Sequence, residues 1–222
     1  MLLCKRIGLA FLGSLLLYIS ASAQAYHYKI PYVDDEDEVV ERDNFFIGFG
    51  IKGNVFVNDN AAHEAAVWSK PSFGADVFVG KWFSYYFGSR LTFEMGKLHP
   101  FFQHRTIMVD ENYVMAKLDL LFNLSNCFRE EWWRSKPGYN LIPYIGVSGI
   151  QVFNVKNRPD QVTRSSSFLY GGGLYNTFRL SNSASLFLNI GMDIVEADLD
   201  GSKSVRKING IASTGVGVVF NL

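Results

Sequence analysis

The chain has no excess charge of either sign: 21 lysines and arginines offset 21 aspartates and glutamates over 222 residues. That balance leaves no electrostatic footprint for a nucleic-acid partner. Cysteine is scarce, with only Cys4 and Cys127, which excludes a disulfide framework. After residue 44 no run of 18 apolar residues occurs, so no helix is predicted to span a bilayer. Apolar residues nevertheless make up 48% of the chain and aromatics 15%, far too many for a disordered segment. A chain this apolar without apolar runs must distribute its apolar residues in some other pattern.

The amino terminus is a targeting segment. Lys5 and Arg6 precede an apolar run at residues 7–19, and Ser20-Ala21-Ser22-Ala23-Gln24-Ala25 follows with two overlapping Ala-x-Ala sites. Thirteen residues of helix reach only ~20 Å, short of the ~30 Å hydrocarbon core. Cleavage after Ala23 therefore defines a signal peptide at 1–23 and an exported chain. A lipid-anchored cysteine would follow the apolar run, whereas Cys4 precedes it and reads as incidental. Cleavage leaves Cys127 alone, so the mature chain forms no internal disulfide.

Residues 24–44 form an acidic periplasmic leader. Asp34, Asp35, Glu36, Asp37 and Glu38 are consecutive, and such a run is most simply solvated and self-repelling. A calcium site would need the glycine and spaced ligands of an EF-hand loop, which are missing.

From residue 45 to 222 the recurring signal is alternation with period two, some eight times over, the signature of strands with one apolar face. Ile47, Phe49, Ile51, Val55 and Val57 oppose Gly48, Gly50, Lys52 and Asn54. Phe73, Ala75, Val77 and Val79 oppose Gly74, Asp76 and Gly80, and Leu91, Phe93 and Met95 oppose Gly88, Arg90, Thr92, Glu94 and Gly96. Val114, Ala116, Leu118, Leu120, Phe122 and Leu124 oppose Lys117, Asp119 and Asn123. Pro143, Ile145 and Val147 oppose Tyr144, Gly146 and Ser148; Phe168, Tyr170, Leu174, Phe178 and Leu180 oppose Gly171, Gly173, Tyr175, Thr177 and Arg179. Leu186, Leu188, Ile190, Met192 and Ile194 oppose Phe187, Asn189, Gly191 and Asp193. The chain then ends on Ala212, Thr214, Val216, Val218, Phe220 and Leu222 against Ser213, Gly215, Gly217 and Asn221, with Val219 an apolar exception on the second face.

A soluble sandwich or barrel would bury the apolar face and turn a face rich in Lys, Glu and Thr to water. Here the second face is glycine, serine, asparagine and a few charges. Small and polar residues suit the inside of a narrow barrel, and bulky apolar ones suit lipid outside. The predicted fold is all-β: an eight-stranded antiparallel transmembrane up-and-down β-barrel. Long outer links are expected at about 58–70, 99–111, 154–166 and 199–205, with short inner turns at Ser84-Tyr85 and Asn182-Ser183. Residues 125–140 would be a long inner turn. Trp82, Phe83, Tyr85, Tyr86, Phe87 and Phe220 are expected at an inner aromatic girdle; Trp68, Phe73, Phe101, Phe102, Tyr113 and Phe153 at an outer one. Residues 210–222 are predicted to pair with residues 44–57, because lipid tolerates no open sheet edge.

The segments NYVMAKLDLLFNLSN, NLIPYIGVSGI, GGGLYNTFRLSNSASLFLNIG and GKWFSYYFGSRL resemble those of the eight-stranded, OmpA-like outer-membrane barrels of Bacteroidetes. The resemblance runs from about residue 45 to 222 and includes the long inner turn. It implies residence in the outer membrane. Many members carry a carboxy-terminal peptidoglycan-binding domain; the expectation here is a barrel lacking one.

The inward faces carry Lys52, Arg90, Lys117 and Arg179 against Asp76, Glu94, Asp119 and Asp193. An eight-stranded interior is just wide enough to be filled by side chains, and unpaired buried charges are costly. A paired charge network that plugs the lumen is favoured over an ion pathway. Lipid-modifying chemistry would need a serine and a histidine at the outer rim. His99, His104, Ser69 and the serines at 165–167 lie in outer links with no motif joining them, and His63 and His27 are equally isolated. Catalysis, a His99–His104 metal pair and any cofactor are therefore not expected. The expected partners are outer-membrane lipid, the barrel assembly machinery through the carboxy-terminal strand, and an envelope protein. The leading expectation is a non-enzymatic barrel that supports envelope integrity or displays loops for binding. The alternative is a subunit of a larger envelope or secretion assembly, docking through the leader or through Trp132 and Trp133.

Overall fold

The computed structural model describes residues 30–33, 39–42, 44–58, 70–99, 101–102, 107–108, 110–128, 138–156, 166–195 and 209–222. Residues 1–23, expected to be a signal peptide, lie outside these residues, as do the acidic run at 34–38, Trp68 and Trp132–Trp133. Two short strands, β1 (Ile30–Val33) and β2 (Val39–Arg42), pair antiparallel on either side of the acidic run. No helix among the described residues is long and apolar enough to cross a membrane.

Eight strands make a single closed sheet. They are β3 (Phe45–Asn58), β4 (Ser72–Trp82), β5 (Phe87–Leu98), β8 (Asp110–Phe122), β9 (Tyr139–Lys156), β10 (Ser166–Arg179), β11 (Ala184–Val195) and β12 (Asn209–Asn221). Each pairs antiparallel with its neighbours in sequence, and β12 closes on β3. A minor hairpin of β6 (Phe101–Phe102) and β7 (Ile107–Met108) sits in the link between β5 and β8. The alternation fixes the register, because slipping any ladder by one residue would exchange its two faces. Gly215 therefore lies opposite Lys52, Val216 opposite Ile51 and Val218 opposite Phe49.

The outward face is apolar and open. Ile51 is 67% exposed and Ile145 68%, and Phe49, Met95, Leu120, Val147, Phe168 and Val216 are exposed with them. A continuous apolar belt of this size is untenable in water and suits a lipid environment. Asn176 is a polar interruption of this face. The Tyr139 hydroxyl donates to its Oδ1 at 2.7 Å and its Nδ2 donates to the Leu188 carbonyl, so no polar group of Asn176 confronts lipid unpaired. The strands run from 11 to 18 residues. At ~3.4 Å per residue, β9 reaches ~60 Å and projects beyond the bilayer.

Links at the two ends differ as the alternation requires. The long ones follow β3, β5, β9 and β11, spanning 59–71, 99–109, 157–165 and 196–208; the last is wider than the sequence reading allowed. Two of the three inner turns are tight, and both use a serine. Ser84 Oγ accepts from the amides of Tyr86 and Phe87, and Ser181 Oγ accepts from those of Ser183 and Ala184. Such hydroxyl–backbone bonds mimic a turn and hold it shut.

The third inner link is ordered at both roots. It opens with one helical turn, α1 (Leu124–Cys127), capped by Asn123, whose side chain accepts from the Asn126 amide. Leu124 therefore belongs to this turn and not to the outward face of β8. The turn is fastened to its surroundings: Asn126 Nδ2 donates to the Tyr85 carbonyl at 2.7 Å, the Asn123 amide to the Tyr86 carbonyl at 2.7 Å, and the Leu141 amide to Ser125 Oγ at 2.8 Å.

The aromatic girdles are partly as expected. Phe83, Phe87 and Phe220 are exposed at the inner end, and Phe73 and Phe153 at the outer end. Tyr113 and Trp82 are corrections. Tyr113 is 1% exposed and faces the lumen, since its neighbour Val114 faces out and successive side chains alternate. Trp82 turns inward to pack on Phe46, ring centroids 6.0 Å apart.

Candidate functional site: the filled lumen

Most of the buried inward side chains fall into three tiers. The upper tier, toward the long links, is an apolar cluster that includes Phe56, Leu98, Met115, Ile150, Leu169 and Ile211. The lower tier, toward the short turns, is mainly aromatic: Phe46, Phe78, Tyr144, Tyr175 and Phe187 pack with Val219. Val219 thus ceases to be an exception, because it completes the lower plug. Between the two lies the charged tier.

The charged tier consists of two groups. In the first, Lys52 Nζ lies 2.5 Å from Glu94 Oε2 and 3.6 Å from Asp76 Oδ2. The other oxygen of Glu94 accepts from Asn54 Nδ2 at 3.3 Å and from the Tyr113 hydroxyl. In the second, Arg90 Nε and Nη2 both donate to Asp119 Oδ2, at 3.1 and 2.8 Å. Lys117 Nζ lies 2.6 Å from Asp193 Oδ1 and 3.8 Å from Asp119 Oδ1. Lys117 is on β8 and Asp193 on β11, with β9 and β10 between them in the wall, so this bridge crosses the lumen. The Arg90 guanidinium is also seated over the rings of Tyr175, Tyr144 and Phe78, at 4.7, 5.0 and 5.2 Å, a favourable cation–π arrangement in a desolvated site.

Seven of the eight inward charges named from the sequence meet in this tier. Arg179 is the correction. It lies eight residues along β10 from Gly171, the partner of Asp193, which is ~26 Å of strand. There its guanidinium donates to the Ser181 carbonyl and the Asn182 side-chain oxygen in the inner turn. Alternation assigned its face correctly, but height along the strand carried it out of the lumen.

Glycine makes the charged tier sterically feasible. Gly146 lies directly across from Asp119, and a Cβ there would come within 2.2 Å of Asp119 Oδ1. Gly171 stands in the same relation to Asp193, with 2.3 Å to its Oδ1. The sequence reading assigned the inward glycines to a narrow barrel in general; the structure gives them the narrower task of seating individual buried carboxylates and rings. Gly146→Val is accordingly expected to displace Asp119 and to lower the urea midpoint of the folded barrel, whereas Gly138→Val, where nothing lies within 4 Å of the added carbon, should leave it unchanged.

Among the described residues, those considered for lipid chemistry lie apart. His99 follows β5, while Ser166 and Ser167 begin β10, three strands away around the wall. Ser69, Ser165, His27, His63 and His104 lie outside the described residues. Cys127 is exposed at the end of α1.

No family model matches the chain. Outer membrane protein 40 of Porphyromonas gingivalis strain W83 is 27% identical over 146 residues, covering 64% of this chain and 34% of that protein. The chain thus spans about a third of the length of the curated relative it matches. Among solved structures, that of Neisserial surface protein A has a TM-score of 0.51 at 9% identity, covering 82% of this chain and 100% of that one, a likeness of fold. An eight-stranded closure, an apolar exterior and an outer-membrane relative have one common reading, and the chain is an eight-stranded antiparallel β-barrel of the outer membrane.

Proposed function

We propose that this barrel works without catalysis and without conducting, as a rigid outer-membrane element that supports envelope integrity and presents its four long links for binding. The observation that carries the reading is the filled lumen: two apolar tiers flank a charged tier whose members are paired. A hydrated ion entering the upper tier would lose its water against Phe56, Ile150 and Leu169 with nothing to replace it. An ion pathway through the charged tier is therefore disfavoured.

Purified mature chain in planar bilayers is expected to give no sustained conductance steps. Frequent, large and stable steps from a homogeneous, heat-modifiable sample would overturn the plug. A second reading, a subunit of a larger envelope assembly, is supported by Phe128. It is 80% exposed at the end of an inner turn that is itself fixed to the barrel, a rigid presentation suited to a protein partner. Co-purification from crosslinked outer membranes, lost on Phe128→Ser, would favour it.

A further inference from the structure

At its inner end the lumen opens into a cavity of about 100 Å3, with no charged residue in its lining. That is room for about three waters at ~30 Å3 each, or for one small acyl group. The floor is the underside of the lower tier, including Phe46, Trp82 and Val219. The wall carries Asn123, Asn140 and Thr177, joined in a directional relay. The Asn126 amide donates to Asn123 Oδ1 at 3.3 Å, Asn123 Nδ2 to Asn140 Oδ1 at 3.4 Å, and Asn140 Nδ2 to Thr177 Oγ1 at 3.2 Å. The relay engages each of the two amide oxygens once. It leaves one N–H on each amide and the hydroxyl proton of Thr177. Ser185 and Asn221 also line the cavity and make no side-chain hydrogen bond among the described residues.

The three spare donors of the relay, with the unpartnered Tyr175 hydroxyl in the same lining, stand around an apolar floor and call for a neutral acceptor with an apolar end. An ion of either sign would be desolvated there with no counter-charge. We propose that this vestibule binds the acetamido group of an N-acetylated sugar. The carbonyl oxygen accepts from Asn123, Asn140 and Thr177. The methyl group rests on Phe46 and Val219, and the ring hydroxyls bond to Ser185 and Asn221 at the open side. The vestibule lies at the end with the short turns, which in such barrels is periplasmic, so a periplasmic glycan reaches it without crossing the membrane. Binding here is independent of whether the lumen conducts.

The test is a titration of the full mature chain in detergent, followed by the side-chain amide resonances of Asn123 and Asn140. N,N′-diacetylchitobiose is expected to shift both saturably, and cellobiose, which lacks the acetamido group, to shift neither. Thr177→Val, verified as folded by heat-modifiable migration, should weaken the response about three- to tenfold, the loss of one neutral hydrogen bond. Absence of a saturable shift, an equal response to cellobiose, or an unchanged response in Thr177→Val would overturn the site. An N-acetyl amino-acid amide that matched the disaccharide would overturn the sugar and indicate a peptide.

Discussion

A chain lacking residues 216–222 is expected to fail to assemble: it should collect in the periplasm or be degraded, with no heat-modifiable form in the outer membrane. The deletion removes the half of β12 that pairs on one side with residues 184–188 of β11 and on the other with residues 46–51 of β3. Each strand then presents unpaired amides and carbonyls to hydrocarbon, at several kcal/mol per group. Phe220, whose ring packs 6.2 Å from that of Phe49, is lost with them, as is Val219 from the lower plug. We propose that the barrel assembly machinery engages this strand, so the defect should arise in assembly as well as in stability. Val218→Arg, which leaves the backbone pairing intact, offers a graded comparison. It should cost up to about 2–4 kcal/mol, and less if residue 218 lies near the interface. Arrival of the truncated chain in the outer membrane in folded form would contradict the closure between β12 and β3.

Arg90→Ala is expected to destabilise the barrel by about 3–5 kcal/mol in reversible urea unfolding from lipid vesicles, because it strands a carboxylate in the lumen. Asp119 is 0% exposed. With Arg90 gone, its remaining cation is Lys117 at 3.8 Å, already held closer by Asp193. The mutation also empties the space over Tyr175, Tyr144 and Phe78, which adds a packing loss to the electrostatic one. The double change Arg90→Met with Asp119→Leu should be far milder than Arg90→Ala, since it removes both charges and keeps volume. If the double variant were as unstable as the single one, the cost would lie in packing and not in the orphaned charge.

The parts of the site that were legible in the sequence are those that period two alone decides. Lys52, Asp76, Arg90, Glu94, Lys117, Asp119 and Asp193 were assigned inward because each alternates with bulky apolar neighbours. Tyr113 was misassigned by the residue-type expectation that aromatics near a strand end belong to a girdle. Its parity with Lys117 and Asp119 was the signal that could have placed it in the lumen, where its hydroxyl donates to Glu94. The two apolar plugs were missed for a related reason. An apolar residue on the inward face, such as Phe78, Leu121 or Ile150, looks like noise in the alternation until the wall curves and brings eight of them together in each plug.

The sequence by itself determined the faces of the strands, the number of crossings and the closure of the last strand on the first. All of these follow from local chemistry: side chains alternate along any strand, and lipid forbids an unpaired edge. Only the tertiary structure decided which charges meet. Partners such as Lys117 and Asp193 are 76 residues apart and on different strands, so their contact depends on strand stagger and barrel diameter, quantities that no single strand encodes. The same stagger put the Arg179 guanidinium against an inner turn instead of in the lumen, and set the glycines across from the carboxylates they accommodate. Faces are a property of one strand, whereas height and opposition are properties of the closed sheet.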